Sequence, residues 1–282
     1  MQSSVARRKH PFRRFFLLIL PLIAILTFLL FPYYWTLVTS LTPRQELYSA
    51  NTVYWPAHPT LDAYGKLFGQ FNFLLPMRNS FVVALTTTVL SLTVSTLAAY
   101  SFSRFRYRGR KFFMVLFLTN NMFPTVLLLI PLFTIMRQLN ILYTPMSLVL
   151  SYTTFTIPFS VWLLNGYLND FPMSLEEAAL VDGANRAQAF MRIIFPVLVP
   201  CLLATGAYIF MQSWNEYTFA VLFTNDRNRT VPVALKNLIG QLGVQWEMLT
   251  SGGIITVIPV CVMFFFAQKK LVAGLTSGAV KG

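Results

Sequence analysis

Six long apolar stretches constrain this chain more than any other feature of its sequence. Each runs for about 20 residues or more, the length of α-helix needed to cross the hydrocarbon core of a bilayer. Inside lipid every backbone N–H and C=O must find its partner within the chain, so each stretch is expected to form a transmembrane helix. The predicted spans are 15–38, 79–102, 112–136, 146–168, 198–222 and 252–271.

The composition agrees with a chain that is dissolved mostly in lipid. Hydrophobic residues make up 56% of the sequence and charged residues only 11%, whereas soluble domains carry about 25% charged residues. The first span follows a basic segment, as in a signal peptide, but it has no small-residue cleavage site, so it is interpreted as a retained anchor. We predict an all-α transmembrane fold with one membrane-spanning domain, 1–282.

The net charge of +13 indicates an orientation rather than a nucleic-acid partner, because the basic residues flank the spans. With a cytoplasmic amino terminus, the inner segments carry about twice as many Lys and Arg residues as the outer ones, as the positive-inside rule requires. The densest basic clusters are 7–14 and 104–111. Both termini are therefore predicted to lie in the cytoplasm. Binding of anionic lipid or nucleic acid is the alternative interpretation of the 104–111 cluster.

The polar loop 169–196, between the fourth and fifth spans, predicts a short helix outside the bilayer. Ser174 followed by Glu177 is typical of a capping box, and Gly183 is a suitable stop. The helix is expected over 174–182, about 15 Å long at 1.5 Å per residue. Ala178 and Ala179 would let a partner approach closely, although composition alone also fits an ordinary solvated connection.

The same loop carries a family signature. Its elements are Glu177-Ala178-Ala179, Asp182-Gly183-Ala184 and the trailing Phe190, Ile193 and Pro196. This pattern resembles the EAA loop of ABC importer permeases. In that family the loop forms a coupling helix that seats in a cleft of the ATPase subunit. The resemblance implies an ATPase-coupling role for Leu175, Glu176, Glu177, Ala178, Ala179, Asp182, Gly183 and Ala184.

Three further segments resemble the maltose-type, carbohydrate-uptake branch of that family. They are 55–64 in the first outer loop, 214–217 late in span five, and 274–282 at the end of the chain. Together they resemble the smaller of two related permeases. The tail 272–282 has a composition typical of disorder, whereas the resemblance implies contact with the ATPase.

The resemblance implies a six-helix type I importer permease of a bacterial inner membrane that works by alternating access. Its implied partners are a second homologous permease, a dimer of ATPase subunits, an extracytoplasmic solute-binding protein and membrane lipid. The implied solute is a sugar, an oligosaccharide or a sugar derivative. No cofactor is expected in this chain, since ATP and Mg would bind the partner ATPase.

Polar side chains within the spans are candidates for the solute pathway. On a helical wheel, residues 205–216 of span five place a polar stripe on one face, and span four has a similar stripe. Such side chains line a hydrated path or form interhelical hydrogen bonds. Asn120 or Asn121 could instead serve a carbonyl freed by Pro124, and Glu216 could pair with a basic residue of the second permease. The candidates are Asn120, Asn121, Asn165, Tyr208, Gln212, Trp214, Asn215 and Glu216.

Several classes of function are disfavoured by what the sequence lacks. It has no G-x-x-x-x-G-K-[ST] phosphate loop and no G-x-S-x-G elbow, and its two histidines are poorly spaced for a metal site. The chain is therefore predicted to be a non-catalytic subunit without a metal. Two rivals remain: a permease for a sugar-derived anion such as glycerol phosphate, and a stand-alone secondary carrier. The polar stripes hold no Lys or Arg, and no inverted repeat is visible.

Overall fold

The computed structural model describes residues 15–49, 51–120, 122–240 and 243–279, and helices form most of this part of the chain. Helix α1 follows a π-helical turn at Phe15–Ile19, α6 follows a 3-10 turn at Thr125–Leu128, and a π-helical turn at Phe190–Ile194 joins α9 to α10. Two strands, β1 (Ile239–Gly240) and β2 (Gly243–Val244), pair antiparallel. The helices are α1 (Leu20–Leu41), α2 (Arg44–Leu47), α3 (Asp62–Gly69), α4 (Leu74–Arg104), α5 (Arg110–Asn120), α6 (Leu129–Gln138), α7 (Pro145–Asp170), α8 (Ser174–Val181), α9 (Arg186–Ala189), α10 (Phe195–Asn215), α11 (Ala220–Phe223), α12 (Val231–Lys236) and α13 (Trp246–Ala279).

Five helical segments are long and apolar enough to cross a membrane, and a broken pair supplies a sixth. The pair is Arg110–Asn120 with Thr125–Gln138, and its two halves meet at 99°. The all-α fold with six spans is therefore confirmed, with the short hairpin as a small addition. The five unbroken segments are Phe16–Leu41, Leu74–Arg104, Pro145–Asp170, Arg186–Asn215 and Trp246–Phe265.

The helices differ from the predicted spans at three places. The predicted third span, 112–136, is interrupted at Pro124, which precedes the 3-10 turn. The predicted fifth span extends to 222, but α10 ends at Asn215 and the short α11 follows separately. The last helix begins at Trp246 and continues to Ala279, so most of the predicted tail is helical and only 280–282 lie outside the described residues.

The chain divides into two compact units, and the first comprises the described parts of Met1–Phe71 and Leu238–Ile255. In this unit α1 is apolar and exposed along most of its length, and only Val38, Thr39 and Ser40 near its end are buried. The hydroxyls of Ser40 and Tyr64 are 2.8 Å apart. These contacts tie the end of α1 to helix α3.

The second unit comprises Asn72–Asn237 and the described part of Thr256–Gly282, and it is built on α4, α7 and α10. Small and hydroxylated residues on the buried face of α4 allow the backbones to approach closely, as is usual between membrane helices. Ser91 and Thr156 join α4 to α7 through hydroxyls 2.8 Å apart. A Cβ on Gly206 of α10 would lie 3.1 Å from the Leu92 side chain, so a larger residue there would force Leu92 to shift.

Candidate functional site

Helix α8, the predicted coupling helix, begins without the predicted capping box. Ser174 is already the first helical residue, and the Met173 carbonyl accepts hydrogen bonds from the Glu176 and Glu177 backbone N–H groups. No side chain caps this end. A capping box forms at the next helix instead, where Asn185 and Gln188 exchange hydrogen bonds of 2.9 Å. The prediction at Ser174 was wrong because the turn into the helix occurs one residue earlier.

The other end of α8 stops at Gly183 as the sequence predicts. Gly183 has φ +89°, a left-handed conformation that side chains disfavour. The Ala184 N–H donates to the Ala179 carbonyl at 3.0 Å, and the Gly183 N–H donates to the Leu180 carbonyl at 3.2 Å. This is the pattern of a Schellman motif, in which the reversed residue lets the last carbonyls of the helix find partners. The loop after α8 is therefore closed onto the helix.

The predicted coupling residues of α8 lie on two opposite faces. Glu176 and Ala179 are buried, and Ala184 is half-buried. The other predicted coupling residues are exposed. So is Val181 on the same helix, at 87%. An exposed face of this apolar character, on a helix too short to span a membrane, suits a protein partner. We call it the outer face of α8, and it consists of Leu175, Glu177, Ala178, Val181 and Asp182.

Glu176 points inward and fixes α8 to the membrane helices. Its Oε2 accepts a hydrogen bond of 2.9 Å from Nε of Arg104, the last residue of α4, and both side chains are only 5% exposed. The Tyr100 hydroxyl donates to Glu176 Oε1. Arg104 also donates to the carbonyls of Leu168 and Phe171 at 3.1 and 3.4 Å. One guanidinium thus links α4, the end of α7 and α8.

This buried ion pair was not recognised from the sequence. Arg104 stands in a basic run that the positive-inside rule already explains, and its partner lies 72 residues further along the chain. One signal was available, since the two adjacent carboxylates Glu176 and Glu177 cannot share one face of a helix. Only one of them is free for an external partner.

A cavity of about 280 Å³ lies between α7, α10 and the segment that follows α10. Three of the eight predicted pathway residues, Tyr208, Gln212 and Glu216, line it. Its other lining residues are Thr125, Tyr152, Phe155, Thr156, Ser213 and Phe219.

Glu216 lies beyond the end of α10, so the predicted helical wheel does not apply to it. Its two carboxylate oxygens accept hydrogen bonds from the backbone N–H groups of Phe219 at 2.9 Å and Ala220 at 3.2 Å. These donors hold the carboxylate at the mouth of α11 and leave further lone pairs for a ligand.

The Asn120 side chain makes a structural hydrogen bond, but its partner is not the carbonyl that the sequence predicted. Pro158 has no N–H, so it leaves the Thr154 carbonyl of α7 without its helical partner. The Asn120 amide donates to that carbonyl at 2.9 Å. Pro124 leaves the carbonyl of Asn120 itself without a helical partner. That carbonyl accepts a hydrogen bond from the Phe123 N–H at 3.3 Å, so it does not need the Asn120 side chain. Asn120 also lines a second, largely apolar cavity with Pro158.

The other predicted pathway residues do not line the first cavity. Trp214 is 1% exposed and packs on Phe210, with ring centroids 5.6 Å apart. Asn165 is 9% exposed on α7, and Asn215 is the exposed last residue of α10. Asn121 lies outside the described residues.

Comparison with known proteins identifies relatives over most of the chain. A family model described as "Binding-protein-dependent transport system inner membrane component" matches residues 91–277. The chain is 34% identical over 270 residues to the trehalose/maltose transport system permease protein MalG of Thermococcus litoralis, covering 94% of this chain and 96% of that protein. It is 34% identical over 254 residues to the sulfoquinovosyl glycerol transport system permease protein SmoH of Agrobacterium fabrum, covering 90% and 89%.

A solved structure has the same fold. It is a bacterial ABC transporter involved in the import of the acidic polysaccharide alginate, with a TM-score of 0.77 at 22% identity over 95% of this chain and 99% of that one. The chain therefore belongs to the binding-protein-dependent transport system inner membrane components, as a carbohydrate-uptake permease of the ABC transporter class.

Proposed function

We propose that this permease forms half of a carbohydrate pathway that is opened and closed through α8 by a separate ATPase. The second half is a homologous permease, and this chain is the smaller of the two. ATP and Mg bind only to the ATPase pair. An external binding protein delivers the solute, in keeping with the binding-protein-dependent family.

One observation carries this proposal: α8 presents an exposed face and is joined to the span helices by a buried ion pair. A helix that transmits movement must be held stiffly by the part that it moves. The Arg104–Glu176 pair, with both side chains 5% exposed, supplies such an attachment to α4 and α7. A solvated connecting loop has no need of a buried charge, which is costly unless it is paired.

The same ion pair supports the proposed orientation in the membrane. It joins Arg104, at the start of the basic 104–111 cluster, to α8, so the cluster and the coupling helix lie on one side of the bilayer. Basic clusters beside spans favour the cytoplasmic side, where an ATPase would find ATP. We therefore propose that both termini and α8 are cytoplasmic and that the chain resides in a bacterial inner membrane.

The long exposed apolar surface of α1 is proposed to be covered by lipid and by the second permease. Its exposed side chains include Phe28, at 79%, and Leu30, at 59%. The rings of Phe31 and Trp35, on the same helix, stack with their centroids 6.1 Å apart. Such a surface is stable only against lipid or another membrane helix.

A single charge on the outer face of α8 tests the proposed ATPase contact. Ala178→Arg should weaken association of the permease with the ATPase by about tenfold or more, because an unpaired guanidinium would enter a closely packed interface. The measurement is copurification of the ATPase from detergent-solubilised membranes. Ala187→Arg, a matched change on the exposed surface of α9, serves as the control and should leave copurification unchanged. Normal copurification and ATP hydrolysis with Ala178→Arg would overturn the proposed contact.

A further inference from the structure

Two buried hydroxyl groups line the first cavity, and one of them has no hydrogen-bond partner. Ser213 is 5% exposed, and within the described part of the chain its hydroxyl has no partner in hydrogen-bond range. Tyr152 is 1% exposed, and its hydroxyl lies beside the Glu216 carboxylate. A buried polar group left unpaired is costly and rare in native proteins. A ligand in this cavity would supply the partner that the Ser213 hydroxyl lacks, and would lie beside the Tyr152–Glu216 pair.

The neighbouring hydroxyls behave differently. Thr156 and Ser160 of α7 donate to the carbonyls four residues earlier, at 2.9 and 2.6 Å, and Thr205 of α10 does the same at 2.8 Å. Helical serines and threonines commonly satisfy themselves in this way. Ser213 lies on the same helix as Thr205, but its hydroxyl makes no such bond to a backbone carbonyl. The helix therefore does not explain the unpaired hydroxyl, and its position at the cavity does.

The Glu216 carboxylate completes a polar set suited to hydroxyl groups. Its two backbone donors orient it, and its remaining lone pairs can accept O–H groups from a ligand. Gln212 adds an amide beside it. Carboxylate, amide and hydroxyl groups around one small space can bind several O–H groups at once.

Aromatic rings supply the other walls of the cavity. Tyr208 packs against Phe159 with centroids 4.5 Å apart, and Phe155 packs against Phe219 at 5.2 Å. Because each ring is braced by another, its face is rigid. A ligand with one apolar face and a rim of hydroxyls matches this combination of walls and polar groups.

We propose that this cavity is a saccharide subsite belonging to this chain itself, and that it takes a single neutral sugar ring. Tyr152, Ser213 and Glu216 recognise the ring hydroxyls. The volume of about 280 Å³ is at the lower end of the range for small-molecule sites, about 300–1,000 Å³, which favours one ring over a longer chain. The inference rests on the proposed carbohydrate function.

The charge of the lining extends the inference to substrate class. Glu216 is present and neither Lys nor Arg is among the lining residues. A carboxylate or phosphate on the solute would face Glu216 without a compensating cation, and like charges held close together are unfavourable. The subsite should therefore select neutral sugars against uronic acids and sugar phosphates. This deepens the proposal and disfavours a sugar-derived anion as the solute.

Removal of the Tyr152 and Ser213 hydroxyls tests the subsite. The full complex, with its ATPase and external binding protein, is reconstituted in proteoliposomes and supplied with maltose, trehalose or a disaccharide that contains glucuronic acid. The quantity measured is the number of sugars imported per ATP hydrolysed at saturating binding protein. Tyr152→Phe and Ser213→Ala, singly and together, should lower this ratio for the imported neutral sugar, by about tenfold in the double variant, while ATP hydrolysis stays stimulated. Thr205→Val is the control and should leave the ratio unchanged.

The outcomes separate the subsite from the function on which it rests. Uptake of none of the three probes would overturn the carbohydrate function and the subsite together. A second outcome would overturn the subsite alone. In it, sugar is imported, but the number of sugars imported per ATP hydrolysed is the same in Tyr152→Phe, Ser213→Ala and Thr205→Val, which would mean that the hydroxyls bind only water. Glu216→Gln should raise uptake of the acidic disaccharide relative to the neutral ones. Preference for the acidic disaccharide in the unmodified complex would contradict the proposed selectivity.

Discussion

Replacement of Arg104 by methionine should lower the free energy of unfolding of the assembled permease by about 3–5 kcal/mol. Among the described residues, the substitution leaves the buried Glu176 carboxylate with only the Tyr100 hydroxyl as a hydrogen-bond partner. It also removes the donors to the Leu168 and Phe171 carbonyls. An exposed ion pair would contribute only about 0–1 kcal/mol, so the size of the effect distinguishes a buried attachment from a surface contact. Thermal and denaturant unfolding of the purified complex measure it.

A double-mutant cycle shows whether the cost arises from the pair. Arg104→Met combined with Glu176→Leu replaces both charges by apolar groups, a change that is often nearly neutral. The double variant should therefore be more stable than either single variant. Arg106→Met, at an exposed position in the same basic run, is the control and should change stability by less than about 0.5 kcal/mol. Additive losses in the double variant would show that the two side chains do not interact.

Gly183→Pro should abolish solute uptake while the chain still inserts into the membrane and assembles. Proline fixes φ near −65°, whereas Gly183 has φ +89°. The variant also loses the N–H that donates to the Leu180 carbonyl at 3.2 Å. The end of α8 must then rearrange, at a cost of about 3 kcal/mol or more, and the outer face is displaced from its partner. The measurement is ATP-driven uptake in proteoliposomes that contain a normally assembled complex.

Gly183→Asn is the matched control for that experiment. Asparagine tolerates the left-handed conformation better than other residues with a side chain, and no described atom lies within 4 Å of a Cβ at this position. The Asn variant should therefore retain most uptake, and Gly183→Ala should fall between the two. Normal uptake by an assembled Gly183→Pro complex would count against α8 as the coupling element.

The membrane helices and α8 were predictable because each depends on local physics. A span of about 20 apolar residues can satisfy its backbone in lipid only as a helix. The end of α8 at Gly183 follows from a glycine placed where the chain must reverse. Both inferences need only residues that are neighbours in the sequence.

The contacts that link distant segments were not predictable in this way. Arg104 and Glu176 meet because α4 and α7 pack side by side, and no spacing rule pairs two residues so far apart. Asn120 was assigned to the bend at Pro124, but the carbonyl it serves is created by Pro158 on another helix. In both cases the partner is chosen by packing.

The prediction of a polar stripe on span five was wrong beyond the point where the helix ends. The wheel assumed a continuous helix to 222, so it placed Glu216 on the stripe, whereas the chain leaves the helix at that residue and the carboxylate caps α11. Trp214 was chosen for its chemistry, yet it is buried against Phe210. Tyr152 and Ser213 were not chosen, because only the structure reveals that the Tyr152 hydroxyl lies beside Glu216 and that the Ser213 hydroxyl is unpaired.

Uptake of a radiolabelled sugar into proteoliposomes, with the ATPase subunits present or omitted, tests most directly whether this permease depends on another chain for energy. If α8 transmits work done by the ATPase, accumulation should require the ATPase, hydrolysable ATP and the external binding protein together, and should stop when ATP is replaced by ADP. Sugar accumulation by the permease pair alone, without ATPase or nucleotide, would contradict that mechanism.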